Sequence, residues 1–289
     1  MVQAKIGVIG GSGLYNMEGM TDTVEVAIET PFGRPSDVIT IGNVDGVPMA
    51  FLPRHGRGHR YSPSEVPARA NIWALKSLGV EWIISVSAVG SLREDVAPRD
   101  LLIPDQIFDR TKSRVNSFYD GGLVVHCSFA DPYCSTLRGL ILAAGQDLTD
   151  VKVHDGGTYA CMEGPLFSTK AESNVNRKLG MDVIGMTALP EAKLAREAEI
   201  CYATIACITD YDCWREEAVT VDMVIANLSA NVANAQRILR SLAHSLPADR
   251  TQQHCGCASA LDHAIMTDPA LITDELKERY QLLIGRYIS

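Results

Sequence analysis

The feature that most restricts the fold of this chain is a β-type, mainly apolar run at residues 202–208, Tyr-Ala-Thr-Ile-Ala-Cys-Ile. A strand with no polar face is expected in the interior of an α/β sheet, covered on both sides. Two carboxylates, Asp210 and Asp212, follow the run and flank Tyr211. Because open α/β sheets bind their ligands at the carboxyl ends of the strands, function is expected at this point.

The chemistry of the two acids suggests a class of ligand. A carboxyl group in a dry pocket can keep its proton at neutral pH, and it then both donates and accepts hydrogen bonds. That pattern complements a 6-aminopurine, whose N7 accepts and whose exocyclic amine donates. We therefore take Asp210 and Asp212 as the candidate catalytic pair.

Short β-branched runs alternate with longer helix-period stretches over most of the chain. This alternation predicts an α/β fold, a single domain with a mixed central β-sheet flanked by helices. The runs 38–41 and 49–52, joined through Gly42–Gly46, predict a hairpin, which makes the sheet mixed. Strands are expected at 5–9, 37–41, 48–52, 82–87, 101–103, 157–162, 182–186 and 202–209. Helices are expected at 68–78, 135–148, 169–179, 191–198 and 220–246.

The break after Leu246 divides the chain into two predicted parts. Residues 1–246 form the main domain, and 247–289 form a tail with a Cys-Gly-Cys sequence and a terminal helix. His254, Cys255, Cys257 and His263 in the tail could bind metal or form a disulfide. Their spacing is not that of a zinc finger and no second cysteine pair lies nearby in the sequence, so we expect no metal.

Charge and hydropathy exclude two classes of partner. The chain carries 26 basic and 35 acidic residues, a net charge of −9, without a lysine or arginine run. This argues against nucleic acid and anionic membranes as partners. No apolar stretch approaches the roughly 20 residues of a membrane span, and the start of the chain lacks a secretory signal. We expect a cytoplasmic protein whose cysteines are mostly buried thiols.

Three loops that favour anions follow predicted strands. They are Gly10–Gly13 with Ser12, the basic loop 54–60 with Arg54 and His55, and the small-residue stretch 85–91 with Ser87 and Ala88. Backbone amides, hydroxyls and a guanidinium together suit phosphate. Each loop alone has an ordinary alternative, a tight turn or a solvated basic loop. The glycine turn lacks the third glycine of a dinucleotide fingerprint and the lysine of a P-loop.

Several motifs together carry a family resemblance. They are Gly10–Gly13, Thr30–Gly33, Pro53–Gly56, Ala70–Lys76, Glu163–Pro165 and Thr209–Asp212. Through them, residues from about Lys5 to Leu246 resemble the methylthioadenosine phosphorylases of the purine nucleoside phosphorylase superfamily. The tail cysteines resemble those of some microbial members, in which such cysteines are associated with disulfides.

The resemblance implies a role for each matching residue. Phosphate would be held by Ser12, Arg54, His55, Ser87, the Ala88 amide and Thr187. Met186 would lie under the ribose, and Asp210, Tyr211 and Asp212 would meet the base. Ser168 and Val221 would help to select the base and the 5′ group, and His126 would reach the 5′ pocket of a neighbouring subunit.

The implied activity is reversible phosphorolysis of S-methyl-5′-thioadenosine to adenine and 5-methylthioribose 1-phosphate. It implies no cofactor other than phosphate as co-substrate, no metal, and a homotrimer or homohexamer. One alternative is a purine nucleoside phosphorylase with broader or 6-oxopurine specificity. More distant alternatives are a dinucleotide-dependent oxidoreductase and a nucleoside-binding protein without turnover.

Overall fold

An eleven-stranded mixed sheet forms the centre of the computed structural model, which describes residues 3–11, 14, 17, 19–215, 220–247, 250 and 255–288. The strands are β1 (Ile6–Gly10), β2 (Thr21–Val26), β3 (Ile39–Val44), β4 (Val47–Pro53), β5 (Trp82–Ser91), β6 (Leu101–Ile103), β7 (Gln106–Arg110), β8 (Val153–Asp155), β9 (Thr158–Met162), β10 (Val183–Gly185) and β11 (Cys201–Asp210). The helices are α1 (Ala68–Ser77), α2 (Ser135–Gln146), α3 (Lys170–Lys178), α4 (Glu191–Glu197), α5 (Val221–Ala243) and α6 (Asp274–Ile284). The predicted fold class is confirmed.

β5 is the strand on which the sheet is organised. It pairs in parallel with β1 up to Ser85 and antiparallel with β10 at Gly90 and Ser91. β11 runs parallel to it from the Cys201–Trp82 pair to the Asp210–Gly90 pair. Three series of strands therefore extend from β5. One consists of β1, β4, β3 and β2, another of β10, β9 and β7, and the third of β11, β6 and β8.

Both faces of the central strands are buried, as the sequence predicted. Tyr202, Ala206 and Ile208 of β11 pack into one apolar cluster that also receives α1 and α4. The alternate residues Cys201, Ala203, Ile205 and Cys207 pack into a second cluster with α2 and α5. Because successive side chains of a strand point to opposite faces, these clusters are the two layers of a helix–sheet–helix core.

The predicted hairpin is formed by β3 and β4, with Ile41 opposite Ala50. Its turn is tighter than predicted, since only Asp45 and Gly46 lie between the strands. Both have positive φ, 50° and 85°, as a two-residue hairpin turn requires.

Three strands were not predicted. β2 is exposed at almost every position, β7 is mainly polar, and β8 is three residues long. None of them offers the apolar periodicity on which strand prediction rests. The predicted helices are all present, and α3 begins at a capping box formed by Thr169 and Glu172.

The tail packs on the main domain. Leu276, Tyr280 and Leu283 of α6 belong to the same apolar cluster as α1 and α4. The buried Tyr280 hydroxyl lies 3.0 Å from the Phe118 carbonyl oxygen. The tail thus shares an apolar core with the main domain. The predicted division of the chain at residue 246 remains a prediction. None of the helices formed by the described residues is long and apolar enough to cross a membrane.

Candidate active site

The two acids lie at the carboxyl end of β11, beside the end of β5. The β11–β5 register shifts between Ile208 and Asp210, which marks a bulge at Thr209, and Asp210 then lies opposite Gly90. A Cβ on Gly90 would come within 2.9 Å of Asp210 Oδ1 and 3.2 Å of Asp212 Cβ. Glycine at position 90 therefore provides the space that the acid pair occupies.

Asp210 is 8% exposed and is held by two neighbours. Its Oδ1 accepts the Asp212 amide at 2.7 Å, and its Oδ2 lies 2.7 Å from the Thr209 hydroxyl. Burial raises the pKa of Asp210, against the lowering effect of these hydrogen bonds. When Asp210 is protonated, Oδ2 can donate to the Thr209 hydroxyl, which in turn can donate to the Val89 carbonyl oxygen at 3.2 Å. The surroundings therefore accommodate a neutral acid.

Asp212 is the second buried carboxyl of the site. Its φ of 50° lies in the left-handed region, where aspartate is among the tolerated residues. Burial raises the pKa of Asp212, and the hydroxyls of Ser173 and Ser168 oppose that shift. Its Oδ2 is buried and makes no well-aligned hydrogen bond within the described part of the chain. Ser168 thus lies close to Asp212, and its role in selecting the base or the 5′ group stays a prediction.

α5 fixes the end of β11 through two asparagines that the sequence analysis missed. Asn227 Nδ2 donates to the Thr209 carbonyl at 2.7 Å, and Asn231 Nδ2 donates to the Ile208 carbonyl at 2.8 Å. Because a bulge leaves backbone groups without strand partners, these amides stabilise the turn that carries the acids. The Tyr211 ring, half-buried, contacts Trp214 edge-on and stacks against Arg215.

Three hydroxyl groups lie close together, those of Ser87 in β5, Tyr159 in β9 and Thr187 just after β10. The Tyr159 hydroxyl lies 3.4 Å from Thr187 Oγ1 and also close to the Ser87 side chain. The Ser87 hydroxyl is buried, and no described residue forms a well-aligned hydrogen bond with it. A buried hydroxyl without a partner is costly in an apolar site, so this position suits a polar ligand. Ala88, next on β5, is half-buried.

Arg54 forms a buried ion pair that was not predicted. Its Nε and Nη2 donate to the two oxygens of Glu191 at 2.6 and 3.1 Å, and the side chains are only 3% and 2% exposed. Arg54 also donates to the Val86 and Ile9 carbonyls and to the Ser85 hydroxyl. The Tyr202 hydroxyl donates to Glu191 as well. Arg54 also lines a small cavity together with Thr187 and Met186.

His55 lies beside Arg54 and is stacked on His59, with ring centroids 4.3 Å apart. Burial, followed by the charge of Arg54, lowers the pKa of His55 to about 4. His55 is therefore neutral at neutral pH. Its Nδ1 lies 2.9 Å from the Tyr61 carbonyl oxygen, which can only accept, so Nδ1 carries the hydrogen and Nε2 is an acceptor. In this tautomer the ring can accept a hydrogen bond from protonated phosphate.

A small cavity lies next to Arg54, Thr187 and Met186, the last of which the family resemblance places under the ribose. Arg54, Thr187 and Met186 line it together with Glu191 and Arg114. The buried Arg114 donates to four carbonyl oxygens, those of Met162, Glu163, Met186 and Leu189. The Arg114 guanidinium therefore joins the end of β9 to the segment that follows β10, and this fixes the backbone of Met186 at the cavity wall.

The remaining predicted residues lie at the edge of the site or outside it. Val221 begins α5 and is 63% exposed. His126 is exposed on a short segment that pairs with the tail, where its amide donates to the Ala264 carbonyl at 2.8 Å. Ser12 lies outside the described residues. The roles given to these three residues, like those of the other predicted site residues, stay predictions.

With the site described, the chain can be compared with known proteins. The model of the phosphorylase superfamily matches residues 5–244. The chain belongs to this superfamily. The resemblance read from the motifs is confirmed.

Individual relatives agree along their whole length. An S-methyl-5′-thioadenosine phosphorylase of Geobacter sulfurreducens is 56% identical over 286 residues, 98% of this chain and 99% of the relative. One of Chloroflexus aurantiacus is 56% identical over 292 residues, covering both chains completely. A solved methylthioadenosine phosphorylase from an antarctic soil metagenomic library is 48% identical, with a TM-score of 0.92 over 98% of this chain and 99% of that one. The methylthioadenosine phosphorylase of Schistosoma mansoni in complex with adenine is 36% identical, with a TM-score of 0.85 over 91% and 99% of the chains.

Besides Asn227 and Asn231, four residues of this superfamily member were not identified from the sequence: Gly90, Arg114, Tyr159 and Glu191. Glu191 opens a helix, where an acidic residue usually only complements the helix dipole in solvent. No local pattern distinguishes it from such an acid, since its partner Arg54 is 137 residues away. Gly90 stood within a small-residue strand exit, a weak signal of close approach.

We predict that Glu191→Gln destabilises the protein strongly. Removing one charge leaves the buried Arg54 guanidinium unpaired, which costs about 3–5 kcal/mol. Urea unfolding at a fixed protein concentration measures the change. The matched control is Glu29→Gln, since Glu29 Oε1 lies at the same 2.6 Å from Arg34 Nε but the pair is 72% and 83% exposed. We expect little change there; equal losses in both variants would contradict the prediction.

Proposed function

We propose that this chain catalyses the reversible phosphorolysis of S-methyl-5′-thioadenosine to adenine and 5-methylthioribose 1-phosphate. The proposal rests on the placement of a buried acid, at the end of β11, and of a group suited to an anion, on the neighbouring strand β5. Relatives named for this activity match the chain over its full length.

The observation that carries the proposal is the spacing along β5. Gly90, which faces Asp210, and Ser87, which faces the hydroxyl cluster, are three residues apart on this strand. A strand rises about 3.3 Å per residue, so the backbones of Ser87 and Gly90 are about 10 Å apart along β5. A nucleoside with a phosphate beneath its sugar spans a similar distance. The base would lie at Asp210 and the phosphate at Ser87 and Thr187, with Met186 beside the ribose.

The bond between adenine N9 and C1′ of the sugar breaks as a phosphate oxygen forms a bond to C1′. Positive charge develops on the sugar, and the electron pair of the broken bond stays on the base. Phosphate near Arg54 and the hydroxyl cluster stabilises the sugar cation. Protonated Asp210 delivers its proton toward N7 and so neutralises the leaving base. Asp212 holds Asp210 through its amide and limits its rotation.

The acid pair favours a 6-amino base. A neutral carboxyl donates to N7 while its carbonyl oxygen accepts from the exocyclic amine, whereas a 6-oxopurine presents two acceptors. The alternative of a phosphorylase for 6-oxopurines therefore has less support. Val221, with no hydrogen-bonding group, suits a methylthio group better than a 5′-hydroxyl. The 5′ pocket is completed by His126 of a neighbouring subunit in a trimer or hexamer.

In the proposed reaction phosphate is the co-substrate, the bound phosphate offsets the charge of the sugar and Asp210 supplies the proton, so the mechanism uses no organic cofactor or metal. Neither an oxidoreductase activity nor simple nucleoside binding accounts for the paired acid and anion sites. The cytoplasmic location stays a prediction from the sequence.

An assay of adenine release tests the function directly. Methylthioadenosine, adenosine and methylthioinosine are supplied with and without inorganic phosphate. We expect phosphate-dependent release of adenine, fastest with methylthioadenosine. Release without phosphate, or faster turnover of methylthioinosine, would contradict the proposed reaction or its base preference.

We predict that Asp210→Asn lowers kcat/KM for methylthioadenosine by roughly 100-fold, the scale of a lost general acid. Burial raises the pKa of Asp210, and only its protonated form can act. The wild-type rate should therefore fall as pH rises through that pKa, and this alkaline fall should be absent from the variant. A comparison of the two pH–rate profiles checks both points. An identical alkaline limb in Asp210→Asn would assign the proton to another group.

We predict that Gly90→Ala lowers kcat/KM by about 10- to 100-fold, because the new methyl group displaces the acid. The matched control is Gly139→Ala in α2, where an added Cβ would meet nothing within 4 Å. Steady-state kinetics on both variants, with melting temperatures, separate misplacement from unfolding. Parental turnover by Gly90→Ala would show that the close packing at Asp210 is not needed.

A further inference from the structure

Four cysteines from distant parts of the chain converge at the junction of the main domain and the tail. They are Cys134, Cys201, Cys255 and Cys257, and their four sulfur atoms all lie within 4.8 Å of one another. All are buried except Cys255, which is half-buried. From the sequence no metal is expected here, because the spacing in the tail is not that of a zinc finger and no second cysteine pair lies nearby in the sequence; in the structure, Cys134 and Cys201 complete the group.

We propose that these four cysteines form a tetrahedral thiolate site for a zinc-class metal ion, which fastens the tail to the main domain. Four thiolates are a ligand set of structural zinc sites, and soft sulfur ligands select such metals. The site is separate from the acid pair and from the hydroxyl cluster, and it serves structure. Its existence does not depend on the proposed function.

The sulfur–sulfur distances fit a metal better than disulfides. With a Zn–S bond of about 2.3 Å, tetrahedral geometry sets neighbouring sulfurs about 3.8 Å apart. Cys201 Sγ and Cys255 Sγ lie 3.7 Å apart. A disulfide would bring two of the sulfurs to about 2.05 Å and leave the other two as a separate pair. Four sulfurs around one point match a single shared metal ion.

The backbone around the cluster is arranged for convergence. Gly256, between the two tail cysteines, has φ of 63°, a left-handed conformation that glycine adopts readily. This conformation turns the chain between Cys255 and Cys257, whose sulfurs both reach the cluster. On the other side, the Cys134 amide donates to the Tyr202 carbonyl at 2.8 Å, which ties Cys134 to the residue after Cys201.

Positive potential at the cluster offsets the charge of thiolates. Cys134 is the N-cap of α2, a twelve-residue helix, and its sulfur accepts the Leu137 amide at 3.4 Å. A helix N-terminus favours a cysteine in its ionised form. Metal binding requires deprotonated thiols, so this arrangement favours it.

The metal would fix more than the cysteines. Beyond Cys257 the tail pairs with the segment that carries His126, through a bridge between Val125 and Ile265. A metal at the start of the tail would therefore limit where that segment can lie. Loss of the metal should loosen the tail while the acid pair, on β11, stays in place.

Metal analysis of the full-length protein, purified with a reductant and without chelators, tests the site. We expect about one zinc ion per chain. After its removal, Co²⁺ should bind with the visible and charge-transfer absorption of a tetrahedral thiolate complex. Cys257→Ser should abolish both signals. The matched control is Cys207→Ala, a buried cysteine of β11 outside the cluster, which should keep both.

Stability measurements distinguish the metal from disulfides even if Cys257→Ser fails to fold. With wild-type protein, a strong chelator should lower the melting temperature, and a reductant alone should leave it unchanged. The proposal would be overturned by protein that lacks zinc and does not bind Co²⁺. It would also be overturned by a thiol count under denaturing, non-reducing conditions that finds the four cysteines oxidised, with reductant lowering the melting temperature.

Discussion

The parallel pairing of β5 with β11 is the constraint on which the rest of the site depends. It extends from Trp82 to Gly90, so that two buried strands end side by side. The acids lie at the end of β11, and Ser87, one of the groups suited to an anion, lies on β5. Neither set would be placed without the two-layer core that covers both faces. The core thus sets the distance over which a nucleoside could be held.

Burial acts differently on two groups of the site, the Asp210 carboxyl and the Arg54 guanidinium. Burial favours the neutral form of Asp210, which is held by a hydroxyl and an amide rather than by a cation. At the other end, Arg54 remains charged because Glu191 supplies a buried counter-charge at 2.6 Å. In a medium of low dielectric constant, a buried carboxyl and a buried guanidinium both need close polar partners. The fold provides them from α4 and from the bulge of β11.

The parts of the fold that could be predicted from the sequence are those with a local signal. The β3–β4 hairpin, the buried β11 and the capped α3 each carry periodicity or turn chemistry. The edge strand β2 carries neither, since almost all of its side chains face solvent. The same rule holds at the site: Asp210 follows a recognisable strand, whereas the pairing of Arg54 with Glu191 is created only by tertiary packing.

The cysteines show the same limit more sharply. Cys255 and Cys257 are visible as a pair, but nothing in their spacing indicates Cys134 or Cys201, which reach them through α2 and β11. Family resemblance supplied roles for Ser168 and Met186 that composition could not. It did not supply Arg114, whose contacts are all with backbone carbonyls and leave no sequence pattern.

The bulge at Thr209 has a consequence for how this chain can change during evolution. Side chains of a strand alternate with a period of two, so the face on which Asp210 emerges depends on the number of residues that precede it in β11. Deleting or inserting one residue between Cys201 and Ile208 would invert that face while leaving every residue type acceptable for a buried strand. Homologous chains should thus tolerate exchanges among apolar residues in this segment far more readily than any alteration of its length.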